Sequence, residues 1–139
     1  MDGLQGAVLR VKLGHLERWT ARRRELADRY VELLRGMPLR ISPAAADSRH
    51  VYHLFTILLE DRDAVRSQLA ELGIQTGIHY PIPVHLQKAY DQNYRPGDFP
   101  VSESAARRTL SLPLFPEMTE EQQQAVAAAL RQIFGGQKT

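Results

Sequence analysis

The sequence predicts an α+β fold, in which a long N-terminal helix precedes a small, mainly antiparallel three-stranded sheet with helices packed on one face. Three patterns lead to this prediction. Apolar residues recur at helical spacing along residues 3–35, β-branched and aromatic runs follow at residues 51–59 and 74–80, and further helical patterns continue to the C-terminus. The length of 139 residues suits a single core of modest size.

We divide the chain into residues 1–36, the long helix, and residues 37–139, the small domain. Gly36 and Pro38 end the helix in the order that a helix C-terminus favours. Two neighbouring apolar stripes cover too much of the first half for a lone surface helix, so we expect another element to pack there. The stripes consist of Leu4, Val8, Val11, Leu9, Leu13 and Leu16.

Two strands are predicted in the middle of the chain. A loop over residues 38–48 leads into the first, residues 51–59, which are rich in β-branched and aromatic side chains. Residues 74–80 alternate in polarity and form the second. Pro81 and Pro83 end it, because proline removes a backbone donor from the ladder.

Three helices and a third strand complete the prediction. Asp61 is placed to cap the first helix and Gly73 to end it. Residues 100–109 form the next helix, and residues 110–112 form the third strand. Thr119 begins the last helix with a Thr-Glu-Glu-Gln capping box. The core-facing residues of the first and last helices are Val65, Leu69, Leu72, Val126, Leu130 and Ile133.

Composition argues against several classes of function. The chain has no cysteine, which excludes disulfides and thiolate metal sites. No apolar run approaches the roughly 20 residues that span a bilayer, and no signal segment opens the chain, so we expect no membrane partner and a cytoplasmic location. The net charge is +2, and the basic cluster Arg18, Arg22, Arg23 and Arg24 is interleaved with acidic residues. This pattern is typical of a solvated helix face, so we expect no nucleic-acid partner.

Four of the five histidines fall in two pairs, and we expect neither pair to bind a metal. His50 and His53 would lie on opposite faces of the first predicted strand, which is wrong for chelation. The second pair belongs to residues 77–85, which concentrate two imidazoles, a phenol and two prolines at a strand end. This segment is a candidate binding loop, although a rigid connector with incidental histidines would give the same pattern.

Three segments resemble one enzyme family. Residues 77–87 (GIHYPIPVHLQ), 97–103 (GDFPVSE) and 110–116 (LSLPLFP) are similar to the DegT/DnrJ/EryC1/StrS family of pyridoxal-phosphate-dependent, fold-type I nucleotide-sugar aminotransferases. Residues 50–55 (HVYHLF) and 1–9 (MDGLQGAVL) are similar to a strand and a helix entry of the same family. The resemblance covers nearly the whole chain and ends after Phe134.

The resemblance implies that the chain is only the C-terminal, small-domain portion of such an enzyme. In the family, a large N-terminal domain carries the Schiff-base lysine, the aspartate that pairs with the pyridine nitrogen and most phosphate ligands. Lys12, Lys88 and Lys138 lie outside the family's Schiff-base context. We therefore expect pyridoxal phosphate in the full-length family, and no cofactor-binding residue, no catalytic residue and no activity in this chain alone. Residues 1–36 would pack on the missing large domain.

The family transfers an amino group, usually from glutamate, to a 3-keto or 4-keto sugar on a nucleoside diphosphate. By resemblance, this chain would help to form the nucleotide-sugar pocket, with His79, Tyr80 and His85 as the substrate-binding residues. Its partner would be the missing large domain or a second subunit of a homodimer. A different class stays open, namely a non-catalytic interaction module or a split-gene half that requires a partner chain.

Overall fold

The computed structural model describes residues 2–45, 47–90 and 92–136 and confirms the predicted α+β fold. In chain order, the elements are α1 Gly3–Leu13, α2 Leu16–Leu33, β1 Arg40–Ile41, β2 Phe55–Leu58, α3 Arg62–Glu71, a 3₁₀ turn Val84–Leu86, α4 Pro100–Arg108, β3 Thr109–Leu112 and α5 Glu120–Gly135.

The three strands form one sheet in the order β1-β2-β3, and both strand pairs are antiparallel, as predicted. Because side chains alternate along a strand, the register gives the sheet two different faces. The first face carries Phe55, Ile57, Leu110 and Leu112, and the second carries Thr56, Leu58, Thr109 and Ser111.

The first face of the sheet, together with α2, α3 and α5, encloses the hydrophobic core. Tyr30 of α2 is fully buried there, with its ring 4.9 Å from the ring of Phe55. The Tyr30 hydroxyl donates to the Pro113 carbonyl at 3.0 Å, and the buried Gln123 of α5 donates to the Leu26 carbonyl at 2.5 Å. These bonds satisfy polar groups inside the core and connect α2 to the segments that follow β3.

The prediction of one long helix is wrong in one respect, because the structure has two helices, α1 and α2, separated by Gly14 and His15. The His15 amide donates to the Lys12 carbonyl at 3.0 Å, only three residues back, so the chain tightens into a turn. Glycine is a weak helix former, and its position marks the break. The Trp19 amide then donates to the His15 carbonyl as α2 begins.

The first predicted strand, over residues 51–59, is shorter than expected, and only β2 pairs. Tyr52 has a left-handed φ of 46°, which is incompatible with an extended strand. Its amide donates to the His50 Nδ1 at 3.0 Å and is therefore not available to a strand partner. Consequently His50 and His53 do not lie on opposite faces of a strand, as the sequence predicted, but in an irregular segment before β2.

The second predicted strand, residues 74–80, is reduced to one antiparallel bridge between Gly77 and Ser111. The Ile74 amide donates to the Leu69 carbonyl at 2.8 Å, so the start of the segment is held at the end of α3 and away from the sheet. The third strand of the sheet is instead β1, which lies within the predicted loop over residues 38–48.

The predicted ends of α3 and α5 are observed with two differences. Thr119 and Gln122 form the expected capping box, with bonds of 3.2 and 3.0 Å. Asp61 is the N-cap residue of α3, but within the described chain its side chain makes no capping bond, because its own φ of 48° is left-handed. Leu72 is 44% exposed rather than core-facing, since it is the C-cap residue from which the chain turns at Gly73.

α1 is the one helix whose described residues include none that is buried. Its capping box joins Asp2 and Gln5, yet its apolar stripes, with Leu16, are 49 to 77% exposed. Within the described chain no element covers them, so the expected cover for residues 4–16, and the division at residue 36, stay predictions about the whole protein. Among the described residues, no helix is both long and apolar enough to cross a membrane.

Candidate functional site

The second face of the sheet is the floor of a cavity of about 360 Å³. Thr56, Leu58 and Thr109 line it from the strands, and Ser102 and Ala105 line it from α4. The segment after Gly77 forms the remaining side. The sheet therefore separates an apolar core on one face from a hydroxyl-bearing cavity on the other.

His79 lines this cavity, and its imidazole lies within hydrogen-bonding distance of a residue of β3. Its Nδ1 lies 2.9 Å from the Oγ of Ser111, a buried residue of β3. Gly77 exchanges two backbone hydrogen bonds with Ser111, at 3.0 and 2.7 Å. Because side chains alternate along an extended segment, this pairing places His79, two residues after Gly77, on the second face of the sheet.

Tyr80 lines the same cavity and is 71% exposed. Its ring meets the ring of His79 edge to face, with the centroids 5.5 Å apart. Strict alternation would have placed Tyr80 on the core side with Ile78, but the two adjacent residues, His79 and Tyr80, contribute to one cavity. An imidazole and a phenol are thus available together to a ligand on this face.

His85 has different surroundings from His79 and Tyr80. It is buried in the 3₁₀ turn. Its Nε2 lies 3.1 Å from the Glu103 carboxylate, to which it donates a hydrogen bond. The same carboxylate oxygen accepts a bond from the Gly97 amide at 2.7 Å. The Gly97 amide first, and then His85, hold the pKa of Glu103 below its ordinary value, against the opposing effect of burial. Glu103 of α4 therefore connects two irregular segments.

A second cavity, of about 370 Å³, adjoins the first and contains His85. Tyr94 and Phe99 form its aromatic wall, with the Phe99 ring 4.8 Å from the imidazole. Val84 and Ser102 line both cavities. The structure thus brings His79 and Tyr80 together and places His85 in the neighbouring cavity, on the far side of a shared wall.

Sequence reasoning did not single out Ser111 or Glu103, although both lie inside the quoted family-like segments. Nothing in a linear pattern says that Ser111 would face His79, because their contact follows from the bridge between Gly77 and β3. The pairing of Glu103 with His85 across 18 residues depends in the same way on the packing of α4.

The arginine cluster is also more than a solvated helix face. One nitrogen of Arg23 lies 3.2 Å from the Tyr52 carbonyl and 2.9 Å from the Leu114 carbonyl. Arg24 donates to the His50 carbonyl at 2.8 Å, and Arg22 to the Met118 carbonyl at 3.3 Å. The guanidinium groups of Arg22, Arg23 and Arg24 therefore bind backbone oxygens of irregular segments and fix the loops around the fold.

The side chains of the described residues decide whether they fit a metal ion or pyridoxal phosphate. Among them there is no cluster of three or more potential metal ligands. The described residues that line the cavity of His79 and Tyr80 include no lysine, arginine, aspartate or glutamate. The pyridoxal group requires a lysine for its imine, an acid for its ring nitrogen and a site for its phosphate.

The lysines of the described chain lie elsewhere. Lys12 is exposed on α1, with its Nζ 6.0 Å from the ring centroid of Trp19, and Lys88 is exposed beyond the 3₁₀ turn. Lys138 lies outside the described residues. The cavity residues by themselves do not fit pyridoxal phosphate.

Comparison with known proteins gives consistent matches. A model of the DegT/DnrJ/EryC1/StrS aminotransferase family matches residues 1–131. The erythromycin biosynthesis sensory transduction protein EryC1 of Saccharopolyspora erythraea is 47% identical over 94% of this chain and 36% of its own length. The dTDP-3-amino-3,4,6-trideoxy-alpha-D-glucose transaminase of Streptomyces venezuelae is 44% identical over 95% of this chain and 35% of its own length.

A solved structure, S. venezuelae DesV in complex with a ketimine intermediate, superposes with a TM-score of 0.91 at 44% identity. The superposition covers 96% of this chain and 36% of DesV. The chain thus spans just over a third of the length of the proteins it matches.

Proposed function

Because the chain belongs to the DegT/DnrJ/EryC1/StrS aminotransferase family, we propose that it is the C-terminal portion of an enzyme that transfers an amino group, with glutamate as donor, to a keto sugar on a nucleoside diphosphate. The comparisons support this reaction, since a relative 44% identical to this chain is named as a transaminase of a dTDP-linked amino sugar and the DesV structure was solved with a ketimine intermediate.

The observation that carries the substrate assignment is that the described cavity lining contains uncharged hydroxyl, imidazole and phenol groups set among apolar side chains, with no charged side chain. Imidazole, phenol and hydroxyl groups donate and accept hydrogen bonds without a net charge, which suits the hydroxyls of a sugar ring. In this proposal His79 and Tyr80 contact the nucleotide sugar directly. The Nε2 of His85 is engaged by Glu103, so His85 contributes to substrate binding through the position of the 3₁₀ turn that carries it.

The cofactor is bound by residues outside this chain. Pyridoxal phosphate, when bound, supplies the electron sink for amino transfer, and the residues of this chain orient the sugar beside it and keep water from that side of the pocket. The 139-residue chain incubated with pyridoxal phosphate and borohydride should therefore show only the partial labelling of exposed lysines. Stoichiometric labelling of Lys12 or Lys88 would contradict this part of the proposal.

The exposed apolar stripes of α1 support a partner in the whole protein, either the large domain or a second subunit. They are explained equally well by a large domain in the same chain and by one that is a separately encoded chain. Mixing the 139-residue chain with a separately expressed large domain distinguishes the two cases, because only a split enzyme gains activity on mixing.

The direct test is turnover by the complete protein that contains this segment. We expect glutamate-dependent formation of an amino sugar, detected by mass spectrometry, with at least one member of a panel of 3-keto and 4-keto nucleotide sugars. Free keto sugars without the nucleotide are the matched control and should react far more slowly. A complete, cofactor-loaded protein that aminates no member of the panel would refute the proposed function.

A further inference from the structure

The His79 imidazole is an exposed side chain in a constrained position. Its Nδ1 lies 2.9 Å from the Oγ of Ser111. Ser111 is only 4% exposed and lies on β3, the strand that also pairs with β2. An exposed histidine ordinarily samples several rotamers, so a hydrogen bond from a buried hydroxyl on a rigid strand restricts it.

Gly77 leaves the space that the same ring occupies. A Cβ on Gly77 would lie 2.5 Å from the Cε1 of His79 and 3.2 Å from its Nδ1, so any larger residue would collide with the ring. The imidazole therefore lies against the bare Cα of Gly77 while its Nδ1 meets Ser111. The two residues that constrain the ring are bonded to each other through both backbone groups.

The position of the ring has a chemical consequence. With Nδ1 engaged by Ser111, Nε2 is the nitrogen that remains for a ligand in the cavity that His79 lines. A neutral imidazole has one donor and one acceptor nitrogen, and the bond at the first nitrogen selects the state of the second. If the Ser111 hydroxyl donates to Nδ1, the proton resides on Nε2, which then donates to an oxygen of the sugar.

We propose that Ser111, supported by the absence of a side chain at Gly77, is a positioning residue that fixes the rotamer and the Nε2–H tautomer of His79. The inference rests on the proposed function for its effect on substrate, but not for its effect on the ring. Ser111 touches no substrate atom in this scheme and acts only through His79.

The first test observes the ring directly, by long-range ¹H–¹⁵N NMR of the 139-residue chain at alkaline pH. The unmodified chain should show His79 mainly as the Nε2–H tautomer. Ser111→Ala should give a mixture of tautomers, and Gly77→Ala should give the same result because it displaces the ring while leaving the hydroxyl in place. Ser67→Ala and Gly3→Ala are the matched controls, since Ser67 is exposed on α3 and a Cβ at Gly3 meets nothing within 4 Å.

The second test measures KM and kcat for the nucleotide sugar in the complete protein. Ser111→Ala should raise KM by about 2- to 13-fold, the range expected for one lost hydrogen bond, with kcat little changed. The double variant Ser111→Ala/His79→Ala should be no worse than His79→Ala alone, since the serine acts through the histidine.

The outcomes separate the two claims. An unchanged tautomer in both Ser111→Ala and Gly77→Ala would overturn the positioning role. An altered tautomer with unchanged KM would support positioning by Ser111 and overturn the substrate contact of His79 instead. Additive effects in the double variant would also overturn the inference, because Ser111 would then act independently of His79.

Discussion

Removal of one hydroxyl from the core tests how α2 is joined to the segment after β3. Tyr30→Phe keeps the buried ring beside Phe55 and deletes only the group that donates to the Pro113 carbonyl at 3.0 Å. The carbonyl loses its donor in a partly buried place, so the free energy of unfolding should fall by about 1 to 2 kcal/mol. For a chain of this size, Tm should fall by roughly 3 to 7 °C.

Urea denaturation followed by circular dichroism measures this change. The midpoint should fall while the m-value stays constant, because the surface exposed on unfolding is nearly the same. Tyr90→Phe is the matched control, since Tyr90 is 42% exposed, and it should change stability by no more than about 0.5 kcal/mol. If Tyr30→Phe were as stable as the unmodified chain, the bond to Pro113 would contribute nothing and the reasoning would fail.

Tyr30 also gives a prediction on the alkaline side. Burial raises the pKa of its phenol above the ordinary value of 10.0. The folded state therefore keeps the proton that the unfolded state loses, and this contribution to stability declines as the pH rises above 10.0. The free energy of unfolding of Tyr30→Phe, measured by urea titration across this pH range, should therefore fall less steeply than that of the unmodified chain.

Three further predictions concern the loops and α1. Arg23→Met should lower the free energy of unfolding by about 1 kcal/mol, because the carbonyls of two irregular segments lose a partly exposed charged donor. Arg10 is exposed, so Arg10→Met should change the free energy of unfolding little. Because the pKa of Glu103 is lower in the folded state than its ordinary value of 4.5, the ionised carboxylate stabilises the fold at pH values above 4.5. This stabilisation is lost as the pH falls through the lower pKa of the folded state. Glu103→Gln should therefore flatten the acid side of the stability curve. The isolated chain should self-associate through α1, and Leu9→Ser/Leu13→Ser should make it monomeric, because each exposed Å² of apolar surface contributes about 25 cal/mol when buried.

Each of these predictions has a contradicting result. Equal losses from Arg23→Met and Arg10→Met in urea titrations would mean that the carbonyl bonds contribute nothing specific. Identical acid unfolding curves for Glu103→Gln and the unmodified chain would remove the carboxylate from the pH dependence. A monodisperse monomer in sedimentation velocity, with α1 ordered and protected from hydrogen exchange, would refute self-association.

Local signals in the sequence predicted the helices well. The capping box at Thr119 and the apolar spacing of α3 and α5 depend on neighbours within a few residues, and the structure has them in place except for Leu72. Gly14 was the local signal for the break between α1 and α2, but continuous apolar spacing across it predicted one helix. A glycine in a helix costs only about 1 kcal/mol, so periodicity alone does not decide between a tolerated glycine and a turn.

The strands were predicted less well because their pairing depends on distant residues. The amide of Tyr52 donates to the His50 ring, and carbonyls nearby accept from Arg23. The backbone groups at the start of residues 51–59 are therefore not available to a neighbouring strand, although this segment has high strand propensity. β1 has only two residues and no strong pattern of its own, and its pairing with β2 defines it. The family-like segments did identify the region of the candidate site, whereas the contact between His79 and Ser111 required the sheet register.

The central claim is that His79 contacts the nucleotide sugar and not the cofactor, and stopped-flow measurement of the two half-reactions tests it most directly. In the complete protein, His79→Ala should raise the nucleotide-sugar concentration that gives the half-maximal rate of that half-reaction by about 2- to 13-fold, as expected for the loss of one hydrogen bond. The glutamate half-reaction and the cofactor absorbance should stay unchanged, and His53→Ala, an exposed histidine outside the cavity, should alter neither half. If His79→Ala instead released the cofactor or slowed only the glutamate half-reaction, the assignment of this cavity to the sugar nucleotide would be wrong.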